Sequence, residues 1–352
     1  MREFKFLLQR GSPVYLLLEP TARCDSRCRH CFNWKRQDSA DPSAELTLGE
    51  IERLSRSMRH VKYLSLTGGE PTLRDDLPQM CRTFARNNDL HVANLHTNGV
   101  NSERTVAVFR GCMDACPNVH WRVCLPADDT GEAMDRMRGV PDCEGKLRET
   151  VRQLKELKKQ FPGFSIEVTT TISQLNKRNF SRTCDFVESL DVDEHILALV
   201  RGTPRDPAVA GVGLEEYEEI VREFEDVRKG KTRRRGLKAA ALAALQNMTT
   251  RESIKSLRNK RMTYPCRAGT RAVKVTSTGD VLACELIEEP MGNLRDFDFD
   301  LPALMKSEKA VNIIDSIKNN ECYCSFECLI PVNMLFDPRA YPRLAAEVFR
   351  LR

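Results

Sequence analysis

Three cysteines near the start of the chain have a spacing suited to metal chemistry. Cys24, Cys28 and Cys31 stand in the string CDSRCRHC, which has the pattern C-x3-C-x2-C. Three thiolates on one short loop can hold three irons of a [4Fe–4S] cube and leave the fourth iron without a protein ligand. Because an open iron can react, this spacing predicts a catalytic iron–sulfur cluster. A zinc site is the alternative, since three cysteines on a loop also suit zinc.

A second motif, which a zinc site would not explain, follows the cysteines in the sequence. Gly68-Gly69-Glu70-Pro71 ends an apolar run, and the cysteines follow another such run, Val14–Leu18. Glycines without a Cβ let a backbone approach a ligand closely. The cysteine spacing followed by this turn resembles the radical S-adenosylmethionine (SAM) enzymes.

This resemblance implies a cofactor set and roles for individual residues. SAM would chelate the open iron of a cluster held by the three cysteines, and reduction would yield a 5′-deoxyadenosyl radical. The turn at Gly68, Gly69, Glu70 and Pro71 would hold the amino group of SAM. The other residues assigned to cofactor binding follow predicted strands or the cysteine motif: His30, Phe32, Thr97, Asn98 and Arg201. An ordinary surface arginine is the alternative for Arg201.

The stretch around the fourth predicted strand departs from the family pattern. Asp135–Gly139 resembles the H-D-x-x-R-G segment of many relatives, but the usual serine and aspartate of that strand are replaced by Cys124 and Pro126. The contacts to the SAM ribose therefore stay open. Cys124 is a candidate hydrogen-atom donor at the mouth of the barrel.

Five more cysteines lie near the end of the chain. Cys266 and Cys284 fit C-x12-G-x4-C, which resembles the opening of the SPASM and twitch modules that bind auxiliary iron–sulfur clusters. Five cysteines suffice for one [4Fe–4S] cluster, so the resemblance favours a twitch-like module. Its expected ligands are Cys266, Cys284, Cys328 and either Cys322 or Cys324. A structural zinc ribbon is the alternative.

The elements that must position these motifs alternate between short apolar runs and amphipathic stretches. Six strands are predicted, at Val14–Glu19, Val61–Leu66, Leu90–Leu95, Val119–Leu125, Ser165–Ile172 and His195–Val200. Such β/α alternation predicts an α/β fold with a parallel sheet. The pattern alone does not separate an open sheet from a closed barrel, and the resemblance favours a partial (β/α)6 TIM-like barrel with a small C-terminal α+β module. The cysteine loop, the glycine turn and the Thr97-Asn98 pair follow predicted strands one, two and three. They therefore lie at the carboxyl ends of the strands, where barrel enzymes have their active sites.

The predicted division of the chain has four parts. Residues 12–203 form the barrel, 204–262 a helical basic connector, 263–335 the cysteine module and 336–352 a tail helix. An alanine-rich helix is expected at Lys238–Gln246, a hairpin at Ala272–Thr276 and Asp280–Ala283, and a helix at Leu301–Ile317. The basic run Arg228–Arg235 is either an anion site or a solvated helix face.

Composition limits the remaining possibilities. The 352 residues are 41% hydrophobic and 30% charged, and a net charge of +5 gives little reason to expect nucleic-acid binding. No apolar run approaches the roughly 20 residues of a membrane span. Fourteen cysteines without an export signal predict a reducing, cytoplasmic location rather than disulfides.

The expected function is radical chemistry at an unactivated C–H bond, with electrons from a reducing protein such as flavodoxin or ferredoxin. Peptide-modifying relatives often carry a recognition domain ahead of the barrel, and here only 23 residues precede Cys24. This favours a small or carrier-linked polar metabolite, such as a sugar, as the substrate. A precursor peptide is the alternative, and a non-catalytic iron–sulfur or zinc scaffold is a third possibility.

Overall fold

A nine-stranded sheet organises the molecule. The computed structural model describes residues 13–58, 60–232, 236–319 and 322–351. In these residues the strand order is β6-β5-β4-β3-β2-β1-β7-β8-β9. The six parallel strands, each within two residues of its prediction, are β1 Tyr15–Leu18, β2 Tyr63–Leu66, β3 Val92–His96, β4 His120–Pro126, β5 Phe164–Ile172 and β6 Glu194–Leu199.

The three remaining strands extend the same sheet beyond β1. They are β7 Ala272–Val275, β8 Asp280–Leu282 and β9 Gly292–Asn293. β7 pairs in parallel with β1, and β8 turns back antiparallel to β7, which confirms the predicted hairpin. Strand β1 is therefore paired on both sides, and its four residues are all buried. This explains its continuous apolar sequence, since a strand covered on both faces needs no polar alternation.

Helices connect and cover these strands. Their bounds are α1 Trp34–Asp38, α2 Leu48–Met58, α3 Leu77–Asn87, α4 Ser102–Ala115, α5 Gly131–Arg138, α6 Cys143–Gln160, α7 Phe180–Ser189, α8 Leu214–Thr232, α9 Gly236–Asn259, α10 Leu301–Leu304, α11 Glu308–Lys318, α12 Leu329–Leu335 and α13 Tyr341–Leu351. The fold is thus a mixed α/β fold with a parallel sheet, consistent with the predicted partial barrel and a C-terminal module.

Local signals explain where several helices begin. A capping box forms ahead of α2, where the Glu50 backbone N–H donates to Thr47 Oγ1 at 3.3 Å and the Thr47 N–H donates to Glu50 Oε2 at 2.8 Å. The helix expected at Leu301–Ile317 is instead two helices, α10 and α11. The break occurs because Ser307 caps a new helix by accepting the Ala310 N–H.

The segment predicted as a connector packs as part of the helical layer. Tyr217, Val221 and Phe224 of α8 share a buried cluster with Ile172 and Leu197 of the last two parallel strands. The alanine-rich helix is longer than expected, because α9 runs through to Asn259. The predicted boundaries of the four parts stay a prediction.

The basic run starts far from the carboxyl ends of the barrel strands. Arg228 is enclosed by Glu194, at the amino end of β6, and by Gln246 and Asn247 of α9. An anion held by Arg228 would lie at the opposite end of the strands from the cysteine and glycine motifs. Arg233, Arg234 and Arg235 lie outside the described residues.

Two further expectations concern the whole chain. Each of the fourteen cysteines is free of disulfide bonds. In the part of the chain that the structure describes, no helix combines the length and apolar character needed to span a bilayer.

Candidate active site

A cavity of about 260 Å³ lies at the carboxyl ends of the parallel strands. Its lining brings together all three predicted motifs of the barrel: Cys24, Cys28 and Cys31; Gly68, Gly69 and Glu70; and Thr97 and Asn98. His30, Phe32, Cys124 and Arg201 also line it. Of the residues expected to bind the cofactor, Pro71 is buried one position behind the lining, where it begins a short 3-10 helix.

The cysteine loop is held in place by backbone hydrogen bonds from two sides. On one side the Arg27 and Arg29 N–H groups donate to the carbonyls of Arg138 and Met137, at the end of α5. On the other side the loop after β6 donates to the carbonyls of Arg29 and Cys31, both at 2.9 Å. These backbone hydrogen bonds fix the course of the loop from both sides.

The three thiols are chemically suited to a cluster. They are partly buried, and burial raises the pKa of Cys24 to about 12 and of Cys31 to about 11. Metal binding must then displace protons from them. Among the described residues no three or more His, Cys, Asp or Glu side chains converge as they would on a single ion. A cube requires no such convergence, because each thiolate binds a different iron.

The two glycines bring the turn after β2 against the segment that leads into Cys24. A Cβ on Gly69 would lie 2.1 Å from the Arg23 carbonyl oxygen and 2.5 Å from that of Ala22. Gly68 has φ +113°, and a Cβ there would lie 2.3 Å from Glu19 Cγ. These glycines therefore allow a close approach to neighbouring protein atoms: Gly69 approaches backbone carbonyls, and Gly68 approaches the Glu19 side chain.

Replacing Gly69 by alanine should therefore disturb both loops at once. Overpacking of this kind costs ~1–3 kcal/mol, so we expect about a tenfold loss of SAM affinity, measured by equilibrium binding to reconstituted protein. Gly163→Ala is the matched control, because a Cβ at that position meets nothing within 4 Å. Equal affinity of the two variants would contradict this role of Gly69.

Glu70 fixes the loops that follow β2 and β3. Its carboxylate accepts hydrogen bonds from the Thr72 N–H and hydroxyl, from the Thr97 hydroxyl at 2.8 Å and from the Asn98 N–H at 2.7 Å. Burial raises the pKa of Glu70, while these four donors oppose that effect. The Asn98 amide in turn donates to Asp25 and Ser26, inside the cysteine loop.

His30 lines the cavity and has a buried ring nitrogen without a hydrogen-bond partner. Its Nδ1 is buried and has no hydrogen-bond partner, while Nε2 lies 3.7 Å from Asp128 Oδ2. Burial lowers the pKa of His30, while the neighbouring Asp128 carboxylate opposes that effect. An unsatisfied buried nitrogen beside a cavity is what a nitrogen-rich ligand would satisfy.

Asp128, which stands just after β4, is not among the site residues predicted from the sequence. It is 1% exposed and pairs with Arg138 Nη1 at 3.0 Å. Although burial opposes its ionisation, His30 and Arg138 hold the pKa of Asp128 below its usual range. Its position two residues beyond Pro126, at the end of a predicted strand, was the available signal.

A buried lysine, also missed, joins the barrel to the C-terminal strands. Lys274 on β7 is fully buried, and its Nζ lies 3.1 Å from Glu285 and 3.4 Å from Glu19. A buried ammonium requires such partners. Glu285 lines the cavity, so this network connects the cavity to the end of β1.

Arg201 and Cys124 both face the cavity but have protein partners. The Arg201 guanidinium lies over the rings of Phe32 and Phe326, 5.4 and 4.7 Å from their centroids, and forms an ion pair with Glu327. Its Nε is buried without a partner. The Cys124 thiol donates to Glu167 Oε2 at 3.5 Å, and burial raises its pKa well above the usual range.

The C-terminal cysteines divide into those behind the cavity and one that lines it. Cys266 interacts electrostatically with Cys322 and Cys324, and Cys284 does so with Cys266 and Cys324. Burial raises the pKa of Cys284 and of Cys324 to about 12. Cys328 lines the cavity together with Glu327. Five buried or half-buried thiols form a donor set suited to an iron–sulfur cluster.

Comparison with known proteins settles the family. The model of the radical SAM superfamily matches residues 18–223. The chain belongs to this superfamily. The radical SAM fold implies a [4Fe–4S] cluster and SAM, and the protein is accordingly an enzyme, which removes the scaffold alternative.

The relatives of this radical SAM enzyme include proteins whose names describe different reactions. It is 27% identical over 310 residues to the AdoMet-dependent heme synthase of Oleidesulfovibrio alaskensis, covering 83% of this chain and 75% of that protein. It is 33% identical to the GTP 3′,8-cyclase of Haemophilus ducreyi, over 28% of this chain and 29% of that protein.

Solved structures with the same fold include two that contain peptides. SuiB of Streptococcus suis bound to the precursor peptide SuiA has a TM-score of 0.61 and 18% identity, covering 90% of this chain and 69% of SuiB. The structure of anSMEcpe with AdoMet and the Cp18Cys peptide has a TM-score of 0.60 and 14% identity, covering 97% and 100%. At these identities the likeness concerns the fold alone.

Proposed function

We propose that the cavity at the carboxyl ends of the strands is where this enzyme binds SAM and its substrate. The observation that carries the proposal is the convergence of the cysteine loop, the glycine turn and the Asn98 loop on one cavity. When bound, the cluster supplies the electron that splits SAM and yields a 5′-deoxyadenosyl radical, which takes hydrogen from an unactivated C–H bond. A reducing protein such as flavodoxin or ferredoxin delivers that electron.

The residues of the cavity have separate roles in this proposal. Cys24, Cys28 and Cys31 ligate the cluster, and the turn from Gly68 to Pro71 presents backbone carbonyls to the SAM ammonium group. His30 Nδ1 hydrogen-bonds the adenine, with Phe32 alongside. Glu70, Thr97 and Asn98 support SAM binding by holding these loops at fixed positions. The Glu70 carboxylate accepts hydrogen bonds from the Thr97 hydroxyl and the Asn98 N–H.

An auxiliary [4Fe–4S] cluster in the C-terminal module completes the proposed cofactor set. Cys266, Cys284 and Cys328 are proposed ligands, with Cys322 or Cys324 as the fourth. The hydrogen-bonded pairing of β7 with β1 holds this module beside the cavity.

The proposed substrate is a compact polar metabolite, free or linked to a carrier. The cavity lining includes the charged side chains of Arg201, Glu285 and Glu327, which suit a substrate with charged or hydroxyl groups. The heme synthase of Oleidesulfovibrio alaskensis, matched over 83% of this chain and 75% of that protein, is named for making heme, a small molecule rather than a peptide. The peptide alternative is supported by the folds of SuiB and anSMEcpe, whose structures hold peptides.

Deuterium transfer distinguishes these substrate classes. We expect that incubation with SAM, reductant and deuterated candidates will place deuterium in 5′-deoxyadenosine from a sugar or carboxylated metabolite. Mass spectrometry of the nucleoside provides the measurement, and a tetrapyrrole belongs in the same panel. Transfer from a peptide alone would replace this proposal with the peptide alternative.

A further inference from the structure

Gln37 brings an amide group against a sulfur of the cysteine loop. It lies on α1, six residues after Cys31, and lines the cavity. Its Nε2 lies 3.3 Å from Cys31 Sγ and donates a hydrogen bond to it. A role for this contact in the chemistry rests on the proposed function, in which Cys31 is a ligand of the catalytic cluster.

Arg205 determines which way the Gln37 amide points. The Nη2 group of Arg205 donates to Gln37 Oε1 at 3.4 Å. A guanidinium group donates hydrogen bonds and accepts none, so the amide atom that faces it is the carbonyl oxygen. The NH2 group of Gln37 is consequently the end that faces the sulfur, where it serves as a donor.

Arg205 is itself held by three contacts. Its guanidinium donates to both carboxylate oxygens of Asp38, at 2.9 and 3.1 Å, and lies over the ring of Trp34, 5.6 Å from the centroid. Its backbone N–H donates to the Cys31 carbonyl at 2.9 Å. Because a bidentate pair with a carboxylate fixes the plane of a guanidinium, Arg205 holds Gln37 in a defined position against Cys31.

A second amide lies near another sulfur of the same loop but has different partners. Asn98 Nδ2 is 4.0 Å from Cys24 Sγ, and it donates to oxygens of Asp25 and Ser26. The contact of Gln37 with Cys31 is the shorter of the two by 0.7 Å. Cys31 is therefore the sulfur on which an amide donor acts more strongly.

We infer that Gln37 raises the reduction potential of the catalytic cluster by donating a hydrogen bond to the Cys31 sulfur, and that Arg205 orients its amide for this purpose. Reduction adds one negative charge to a cluster, and hydrogen bonds to the sulfurs are among the factors that set its potential. A donor at the sulfur stabilises the added charge. Gln37 and Arg205 are positioning residues that favour the reduced state, which the cleavage of SAM requires.

The test is a potentiometric titration of the full-length, anaerobically reconstituted enzyme, followed by electron paramagnetic resonance. The catalytic signal is identified as the one that SAM perturbs, and its midpoint is measured in the absence of SAM. Gln37→Met keeps the length of the side chain and removes the donor. For this variant we expect a reduced-to-oxidised ratio about tenfold lower at the wild-type midpoint, equivalent to a shift of about −59 mV.

Gln153→Met is the matched control. This glutamine lies on α6, outside the cavity lining, and donates to Glu149 Oε1 at 2.8 Å. The same substitution there should leave the midpoint at the wild-type value.

Two further variants test the direction of the effect. Gln37→Glu can still accept from Arg205, but it has no donor and adds a negative charge near Cys31, so its midpoint should fall further than that of Gln37→Met. Arg205→Lys keeps the positive charge and removes the fork that orients the amide, so its midpoint should fall by less. The iron content should stay at the wild-type value in each variant.

The outcomes separate this inference from the function on which it rests. A midpoint of the Gln37 variants at or above the wild-type value overturns the inference alone, as does a loss of SAM affinity without a change of midpoint. If Gln37→Met does not assemble its cluster, Gln37→Glu and Arg205→Lys decide the question. A wild-type midpoint in Arg205→Lys contradicts the orienting role of Arg205. A wild-type protein whose iron–sulfur signals do not respond to SAM overturns the proposed function and this inference together.

Discussion

Replacing Cys24, Cys28 and Cys31 together by alanine is expected to reduce 5′-deoxyadenosine formation to the level of the buffer blank. The three thiols line one cavity and are the proposed ligands of the cluster that delivers the electron. Without them no metal centre can hold SAM at the position of cleavage. The measurement is chromatographic quantification of the nucleoside after reduction with dithionite.

Two controls make this result specific to the cluster. Cys184→Ala, on α7 away from the cavity, should retain full activity. The triple variant should also retain the iron of the C-terminal site, which shows that the protein still folds. Continued production of 5′-deoxyadenosine by the triple variant would contradict the ligand assignment.

The second large effect concerns metal content. Anaerobically reconstituted protein should contain about eight irons per chain, from two four-iron clusters, and Cys266→Ala/Cys284→Ala should contain about four. The spectral change that SAM causes at the first cluster should persist in that double variant. Iron and zinc are measured by elemental analysis alongside the optical spectrum.

The same measurement resolves the choice between Cys322 and Cys324. Alanine at the true ligand should lower the iron content or make the second cluster labile, while alanine at the other position should leave it intact. About twelve irons in the wild type would indicate two auxiliary clusters rather than one. Zinc in the second site would contradict a redox role for the module.

The sequence predicted the parallel strands well because their apolar runs are short and separated by amphipathic stretches. It also predicted which loops meet at the cavity, since parallel strands bring their carboxyl ends to one edge. Residue types and spacing identified the family before any geometry was known. Each of these features depends on residues that are close together in the sequence, so it can be predicted without knowledge of the tertiary structure.

What the sequence did not reveal are contacts between distant residues. Nothing in the sequence around Lys274 indicates that it is buried between Glu19 and Glu285, because Glu19 lies near the other end of the chain. The ion pair of Arg201 with Glu327 likewise joins residues that are far apart in the sequence. The role of Gly69 was expected to be an approach to a ligand, whereas its nearest neighbours are carbonyls of the adjacent loop. Such details depend on tertiary packing.

The pairing of Tyr15 with Ala272 has a consequence for how the protein reaches its native state. During synthesis β1 leaves the ribosome early, yet one of its two hydrogen-bonded neighbours is made only after most of the chain has been translated. Until then the first strand of the barrel has an open edge that can pair with other chains. Contacts of such long sequence separation also form slowly. The first strand of the barrel therefore gains its second hydrogen-bonded neighbour only when the chain is nearly complete.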